Sequence, residues 1–217
     1  MEQSETIGMW IQTWAPGSNL PEGINTGIAF NGWVNISDAI SNSSQIFDKL
    51  PPFKYLSLGG GNASGAWTEA NLSSNLEAIN NGDIDAYDGI VFDCEIGVGG
   101  LYDSFNACFA ALKAKDKKVI FTTSHTGPYG FLDAEVFMTS ILACDNIDVL
   151  SPQLYTNGTE PENDYSAGNV PWSQWETTTI PIAPSIVTAN LYPDAVEWFK
   201  DNLNITLQGF IQWENLP

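Results

Sequence analysis

Short apolar runs alternate with longer amphipathic segments from one end of the chain to the other. The short runs are rich in β-branched and aromatic residues and are bounded by Gly, Pro, Asn and Asp, a pattern typical of β-strands. The pattern predicts eight strands, at residues 7–13, 26–30, 55–58, 89–95, 118–123, 149–155, 180–187 and 207–213.

The segments between these runs repeat their apolar residues with the period of a helix. They predict amphipathic helices at residues 37–50, 67–80, 101–116, 132–145 and 193–202. The links after the first and sixth strands, 15–23 and 156–176, are instead rich in Pro, Gly and Asn. We therefore expect one or two outer helices to be shortened or missing.

The alternation continues through residues 1–217 without a linker or an exact repeat, which predicts one α/β domain with a parallel sheet. Eight strands can close on themselves, so we expect a compact single-domain (β/α)8 TIM barrel. An open doubly wound sheet is the alternative. Against it, no G-x-G-x-x-G follows the first strand, where a dinucleotide-binding sheet would need one.

Polar and aromatic side chains collect at the C-terminal ends of the predicted strands, while the strand bodies are aliphatic. In a (β/α)8 barrel these ends carry the reactive groups. The candidate site residues are Gln12, Trp14, Asn31, Gly60, Asp93, Glu95, His125, Gln153, Tyr155 and Trp213. This mixture suits a polar cleft that accepts a sugar.

The most informative stretch is DGIVFDCE at residues 88–95. Alternation along a strand places Val91, Asp93 and Glu95 on one face, each about 7 Å further along. Two neighbouring carboxylates cannot both ionise freely, so the pKa of one rises and it keeps the proton that a general acid needs. The alternative is a pair of solvated carboxylates or a pairing with Lys, which is disfavoured because the chain has only 7 Lys and Arg.

The charge balance narrows the choice of partners. The net charge is −19, from 26 Asp and Glu against 7 Lys and Arg. This charge repels phosphate backbones and anionic lipids, so we expect neither nucleic acid nor a membrane as partner. A neutral or cationic ligand is easier to accept, although acidity can equally serve solubility alone.

Cysteine usage and location signals add little. Cys94, Cys108 and Cys144 are far apart and odd in number, which predicts buried thiols instead of a disulfide framework or a metal site. Asn-X-Ser/Thr triplets would accept glycans in a secretory protein. The location is not predicted, because the given chain starts without a signal-peptide pattern and secretion would require that one had been removed.

The stretch on strand four resembles the D-G-x-D-x-D-x-E signature of glycoside hydrolase family 18, which includes chitinases and endo-β-N-acetylglucosaminidases. Residues 55–61 (YLSLGGG) resemble the family's third-strand S-x-G-G motif. Residues 153–155 (QLY) resemble the Q-x-Y of plant class III chitinases on strand six, and 27–30 and 209–213 resemble their second and eighth strands. The matches follow the order of the strands, so the resemblance covers nearly the whole chain.

The resemblance implies retaining, substrate-assisted hydrolysis of β-linked N-acetylglucosamine glycans. Glu95 would protonate the glycosidic oxygen, and Asp93 would orient the acetamido group whose oxygen attacks the anomeric carbon to give an oxazolinium intermediate. Tyr155 and Gln153 would hold that group, and Trp213 would form the floor under the sugar. The spacing independently favours substrate assistance, because two carboxylates on one strand cannot flank a sugar. We expect no cofactor and no metal.

One position departs from the family's pattern: Val91 stands where the family has an inner Asp that holds the next carboxylate. We expect a lower rate with the acid retained. Two other functions stay open. One is a chitinase-like lectin that binds such glycans without cleaving them, with Val91 as the mark of a decayed site. The other is a structural or storage barrel.

For His125 and for four tryptophans the sequence leaves two interpretations. His125 is the only histidine and lies after strand five, where it either contacts substrate or closes a turn. Gly60 lies in a run of three glycines that favours close backbone approach beside the site. Four tryptophans in loops after strands either stack on sugars or pack internally, namely Trp14, Trp33, Trp172 and Trp175.

Overall fold

Eight parallel strands close into a barrel in the computed structural model of the chain, which describes residues 5–15, 20 and 22–213. The strands are β1 (Thr6–Gln12), β2 (Thr26–Phe30), β3 (Phe53–Gly59), β4 (Gly89–Asp93), β5 (Lys118–Ser124), β6 (Val149–Gln153), β7 (Ser185–Ile186) and β8 (Gly209–Gln212). Each strand pairs with the next, and β8 pairs with β1. The predicted (β/α)8 barrel is confirmed. The N-terminal segment considered for a signal peptide (1–4) and part of the 15–23 link (16–19 and 21) lie outside the described residues.

Within the described residues, five α-helices cover the barrel: α1 (Ile36–Ser43), α2 (Glu69–Asn81), α3 (Tyr102–Lys113), α4 (Ala134–Leu142) and α5 (Tyr192–Leu203). Helix α1 continues as the 3-10 helix Ser44–Lys49. After β6 the chain forms the 3-10 helix Trp172–Thr177 in place of an α-helix, and the described part of the link after β1 contains no helix. The expected loss of one or two outer helices is confirmed.

The strands separate two apolar layers. One layer fills the barrel and takes residues from nearly every strand: Trp10, Ile28, Phe30, Tyr55, Val91, Ile120, Val149, Ala183 and Ile211. The other lies between the strands and the helices, where Trp67, Phe92 and Phe105 form a chain of ring contacts. Because strand side chains alternate, Val91 points into the barrel and Phe92 points towards α3.

Four strands, β4, β6, β7 and β8, are shorter than the sequence predicts, and the differences at β7 and β4 matter most. Strand β7 contains Ser185 and Ile186 instead of residues 180–187, because Pro181 and Pro184 have no N–H to donate to a neighbouring strand. Strand β4 ends at Asp93. Glu95 therefore lies just beyond the strand, in the loop that leads to α3.

A charged cluster ties β5 and β6 together near the N-terminal end of the barrel. Asp148 accepts hydrogen bonds from Lys113 Nζ at 2.6 Å, from Lys118 Nζ at 2.9 Å and from the backbone N–H of Val119 at 2.9 Å. Burial alone would raise the pKa of Asp148, but these hydrogen bonds outweigh burial and hold the pKa below its usual range.

We expect Asp148→Asn to lower the free energy of unfolding by about 2 kcal/mol at neutral pH, because it weakens charged hydrogen bonds to a largely buried group. A carboxyl with a lowered folded-state pKa stabilises above its unfolded-state pKa, and this stabilisation is lost as pH falls through the folded pKa. Urea unfolding should therefore separate wild type from variant at neutral pH and bring them together in acid. Asp145→Asn, an exposed neighbour, serves as the control, and an equal loss in both variants would contradict the prediction.

Candidate active site

An open cleft of about 630 Å³ lies at the C-terminal end of the barrel. Its lining comes from the ends of β2, β4, β5 and β6 and from the loops that follow β1, β3, β4, β5, β6 and β8. The lining residues are Trp14, Phe30, Gly61, Asp93, Glu95, Ser124, Tyr129, Gln153, Tyr155, Thr156, Asn157 and Trp213. A second cavity, of about 430 Å³, lies at the opposite end near Asp88 and Asp148 and is far from the paired carboxylates. The chemistry of the linings therefore singles out the cleft.

Asp93 is fixed in place by both its backbone and its side chain. Its carbonyl oxygen accepts hydrogen bonds from Trp67 Nε1 at 2.9 Å and from the N–H of Gly60 at 3.1 Å. Its side chain is 2% exposed, and Oδ1 accepts a hydrogen bond from Gln153 Nε2 at 3.0 Å. The last residue of β4 is thus held between β3 and β6, with its carboxyl group facing the cleft.

Glu95 reaches the same place from the loop after β4. The carboxyl groups of Asp93 and Glu95 share a hydrogen bond. The backbone carbonyl of Glu95 accepts from the N–H of Gly130 at 2.9 Å, and Ile96 forms a parallel β-bridge with Gly130. The loop after β5 therefore supports Glu95 where strand β4 no longer does.

The environment raises the pKa of both carboxyl groups. For Asp93 the largest cause is burial, followed by the charge of Glu95 and the hydrogen bond between the two, while the hydrogen bond from Gln153 opposes the rise. Burial also raises the pKa of Glu95, against hydrogen bonds from Gln153, Asp93 and Tyr129 and the charge of His125. The pair consequently keeps a proton at a pH where an isolated carboxyl group would have lost it.

Tyr155 and Trp213 form the opposite wall of the cleft. Their ring centroids are 5.8 Å apart, and Trp213 also contacts Phe30 at 5.2 Å. Burial, and then the charges of Asp93 and Glu95, raise the pKa of Tyr155 well above its usual value. Its hydroxyl lies near the Ser185 side chain, but within the described residues it makes no hydrogen bond of good geometry. A buried phenol that stays protonated is thereby kept as a donor.

The loop after β6 closes over this wall. Glu160 accepts hydrogen bonds from the N–H groups of Thr156, Asn157 and Thr159 at 2.6–2.9 Å. Gly158 has a φ of +77°, and a Cβ placed on it would lie 2.1 Å from Trp213 Nε1. The loop therefore packs directly on the Trp213 indole, and a glycine is required at the contact.

The structure brings six of the ten candidate residues into the lining of the cleft and places the other four around it. The six are Trp14, Asp93, Glu95, Gln153, Tyr155 and Trp213. Gly60 lies behind Asp93, where a Cβ would be 3.6 Å from Asp93 Oδ2. Gln12 donates to the Trp213 carbonyl at 3.5 Å, and Asn31 is buried in hydrogen bonds to Ser43, Ser57 and the backbone.

His125 is the fourth residue outside the lining. It has a left-handed φ of 49° in the turn after β5. Its Nδ1 lies 3.1 Å from Ser124 Oγ, and its Nε2 lies 3.1 Å from Asp164 Oδ2. The structure thus places His125 in a turn, directly after Ser124, which lines the cleft.

The tryptophans in loops divide between exposure and packing. Trp14 is 61% exposed at the cleft and touches Phe30 edge-on. Trp33 is 38% exposed but lies outside the lining. Trp172 and Trp175 are buried against α5 and the loop after β5, where Trp175 Nε1 donates to the Thr126 carbonyl at 3.1 Å.

Sequence reasoning missed several lining residues, above all Tyr129 and Phe30. Phe30 ends β2, so its position at a strand end was a usable signal. Tyr129 lies in the middle of the loop after β5, where the sequence indicates neither the direction of the side chain nor its contact with Glu95. Thr156 and Asn157 directly follow Tyr155 and could have been included with it.

These features define what the cleft can do chemically. In the described part of the chain, the carboxylates that line it are Asp93 and Glu95, which touch each other. One of the two carboxyl groups can donate a proton to a ligand while the other contacts a neighbouring group of the same ligand. Trp14, Phe30 and Trp213 offer ring surfaces for an apolar sugar face.

No family model matches the chain, and no curated protein matches it. Within the described residues, no group of three or more His, Cys, Asp and Glu side chains could hold a metal ion. No helix described here is long and apolar enough to cross a membrane.

Proposed function

We propose that the protein is a retaining glycosidase that hydrolyses β-linked N-acetylglucosamine glycans with the help of the substrate's own acetamido group. The observation that carries the proposal is the hydrogen-bonded pair of Asp93 and Glu95 beside Gln153 and Tyr155 in one open cleft. The resemblance of residues 88–95 to the family 18 signature supports the same chemistry.

The contact between the two carboxyl groups favours substrate assistance over the usual two-carboxylate scheme. A protein nucleophile must lie on the other side of the sugar from the acid, about 5 Å or more away. Asp93 and Glu95 instead share a hydrogen bond. In the proposed reaction, Glu95 gives its proton to the glycosidic oxygen as the bond to the anomeric carbon breaks, and the acetamido oxygen bonds to that carbon.

The surrounding residues fit the remaining steps. Asp93 accepts a hydrogen bond from the acetamido N–H, and its negative charge balances that of the oxazolinium ion. The Tyr155 hydroxyl and Gln153 hold the acetamido group in place. Glu95, now a carboxylate, takes a proton from the water that opens the oxazolinium ring. The configuration at the anomeric carbon is retained because it is inverted twice.

The test is hydrolysis of fluorogenic chitobioside and chitotrioside, with the cellobioside as a matched substrate that lacks acetamido groups. We expect turnover of the first two with retention of configuration by NMR, and none of the third. Equal turnover of the cellobioside would refute substrate assistance. Binding of chitooligosaccharides without turnover would leave the lectin, and the absence of both would leave a barrel without this function.

The lectin remains the second candidate because of the surroundings of Val91. This residue lies fully buried inside the barrel, two positions before Asp93 and in register with Ser57. The Ser57 hydroxyl is buried and makes no hydrogen bond in the described part of the structure. An apolar residue beside an unsatisfied hydroxyl fits a site that has lost a polar partner below Asp93.

We expect Val91→Asp to raise kcat about tenfold, because a carboxyl group there can accept from Ser57 and share the proton of Asp93. The same change should lower the free energy of unfolding by about 3 kcal/mol, since it buries a carboxyl among apolar side chains. Val91→Thr is the matched control: it offers Ser57 a partner of the same shape without a carboxyl group. A folded Val91→Asp protein with unchanged kcat would show that this position does not limit turnover.

A further inference from the structure

Tyr129 has no role in the reaction outlined above, yet its side chain lies beside the Glu95 carboxyl group. It lies on the loop after β5, lines the cleft and is 53% exposed. Its hydroxyl group lies close to the Glu95 carboxyl group, where it acts as a donor that lowers the pKa of Glu95. A phenolic hydroxyl is thus placed beside the proposed acid.

The backbone fixes Tyr129 beside Glu95. The next residue, Gly130, donates its N–H to the Glu95 carbonyl at 2.9 Å and pairs with Ile96 in a β-bridge. A Cβ on Gly130 would approach Ile96 Cα to 3.0 Å, so the two loops meet at a distance that a glycine permits. The backbone just after Tyr129 is thus held at the junction with the loop that carries Glu95.

A third loop completes the contact. The Tyr129 hydroxyl lies 3.5 Å from the Gly61 carbonyl oxygen, on the loop after β3. A Cβ placed on Gly61 would lie 2.8 Å from the Tyr129 hydroxyl and 2.9 Å from Glu95 Oε2. The hydroxyl therefore has two possible acceptors. The Gly61 carbonyl oxygen can always accept its hydrogen bond, whereas the Glu95 carboxyl group becomes a stronger acceptor when it loses its proton.

We infer that Tyr129 is a positioning residue that holds the Glu95 carboxyl group towards the cleft and donates a hydrogen bond to it once it has given up its proton. While Glu95 is protonated, the phenol hydrogen can turn to the Gly61 carbonyl. As the proton leaves for the glycosidic oxygen, the phenol hydrogen turns to the new carboxylate. The inference rests on the proposed function, since it assigns the negative charge of that step to Glu95.

Other groups also face Glu95 and shape its titration. They are Asp93 on β4, Gln153 on β6, Tyr155 after β6 and His125 after β5. Burial raises the pKa of Tyr129 itself, so its hydroxyl stays protonated and remains a donor wherever the acid works. Removing that donor leaves the other groups in place.

The experiment uses Tyr129→Phe. We expect kcat to fall about tenfold with KM unchanged, the fold-change that corresponds to one lost hydrogen bond to a charged group. The pKa of Glu95 should rise, so the alkaline limb of the rate profile should move to higher pH. A merely structural role for the ring would lower stability or raise KM without moving that limb.

Gly61→Ala provides a second variant that keeps the phenol but adds a methyl group that presses on both the Tyr129 hydroxyl and Glu95 Oε2, and so disrupts their contact. We expect the same upward shift of the alkaline limb, and no further shift when the two changes are combined. Tyr102→Phe, which removes a phenol on α3, is the control and should leave the profile unchanged. An unchanged alkaline limb in both Tyr129→Phe and Gly61→Ala would overturn the inference.

The inference can fail separately from the proposed function. If wild type turns over none of the chitooligosaccharides, the proposed function fails, and the titration of the Glu95 carboxyl can still be followed by NMR with ¹³C-labelled glutamate. A higher Glu95 pKa in Tyr129→Phe than in wild type supports the contact, and equal values in the two proteins refute it.

Discussion

Glu95→Gln should lower kcat/KM on chitotetraose by about 10²–10⁴, the range that a positioned general acid contributes. The amide keeps the shape of the side chain but has no proton to give to the leaving oxygen. Affinity for chitooligosaccharides should stay close to that of wild type, because Gln153, Tyr155 and the aromatic walls remain. Initial rates and calorimetric titration with the same oligosaccharide measure both quantities.

The leaving group sharpens this test. A fluorogenic phenol is a good leaving group and needs little protonation by an acid. A sugar hydroxyl is a poor leaving group and must be protonated. The rate loss in Glu95→Gln should therefore be larger on chitotetraose than on the aryl glycoside. Glu197→Gln on the exposed face of α5 controls for the loss of one negative charge. Equal losses on both substrates would argue that Glu95 does not act as the acid.

The pH dependence follows from the raised pKa values. In the proposed reaction Glu95 must be protonated to act, and its pKa lies above that of an ordinary glutamate mainly because of burial. The rate of wild type should therefore fall as pH rises through that pKa, which lies on the alkaline side of the usual carboxyl range. Since Asp93 and Glu95 share a hydrogen bond, the limb reports the pair and not one residue alone.

Gly59→Ala should have the largest effect on stability, a loss of at least about 3 kcal/mol in the free energy of unfolding. Gly59 ends β3 with a φ of +95°, a conformation that side chains rarely adopt. A Cβ there would lie 2.1 Å from the Asp93 carbonyl oxygen and 2.7 Å from Trp67 Nε1. The methyl group would therefore separate the strands at the point where the backbone of Asp93 is anchored.

Gly23→Ala is the matched control for this change. Gly23 has a similar φ of +86°, but nothing lies within 4 Å of an added Cβ. It should lose only the backbone term, about 1 kcal/mol. Urea unfolding measures the loss of unfolding free energy in both variants, which includes a steric clash in Gly59→Ala and only backbone strain in Gly23→Ala. Equal losses within error would mean that the close approach to Asp93 has no energetic cost.

The architecture and the carboxylate pair were predictable from the sequence for the same reason. Parallel strands buried on both faces appear as continuous apolar runs, and reactive groups occur where these runs end. Asp93, Gln153 and Trp213 all follow this rule. Where the rule identified strand ends that do not line the cleft, as with Asn31, the cause is a side chain satisfied by buried neighbours.

Loop geometry could not be predicted in this way. Tyr129 reaches Glu95 because Gly130 pairs with residues after β4, a contact between two loops that no periodicity indicates. His125 lies outside the cleft lining, in a turn with a left-handed backbone where its Nε2 approaches Asp164, which a single histidine in the sequence does not signal. The late start of β7 was accessible in principle, since Pro181 and Pro184 are visible in the sequence.

In the proposed glycosidase, the Glu160 carboxylate affects which charged sugars can bind in the cleft. Backbone N–H groups that converge in a loop form a natural receptor for an anion, and the lactyl group of muramic acid or a uronate would be a suitable guest. At Thr156, Asn157 and Thr159 that receptor is already filled by the protein's own Glu160. In the proposed glycosidase, this filled receptor and the net charge of −19 of the whole chain should discriminate against carboxylated glycans and favour uncharged or partly deacetylated, cationic ones, most strongly at low ionic strength.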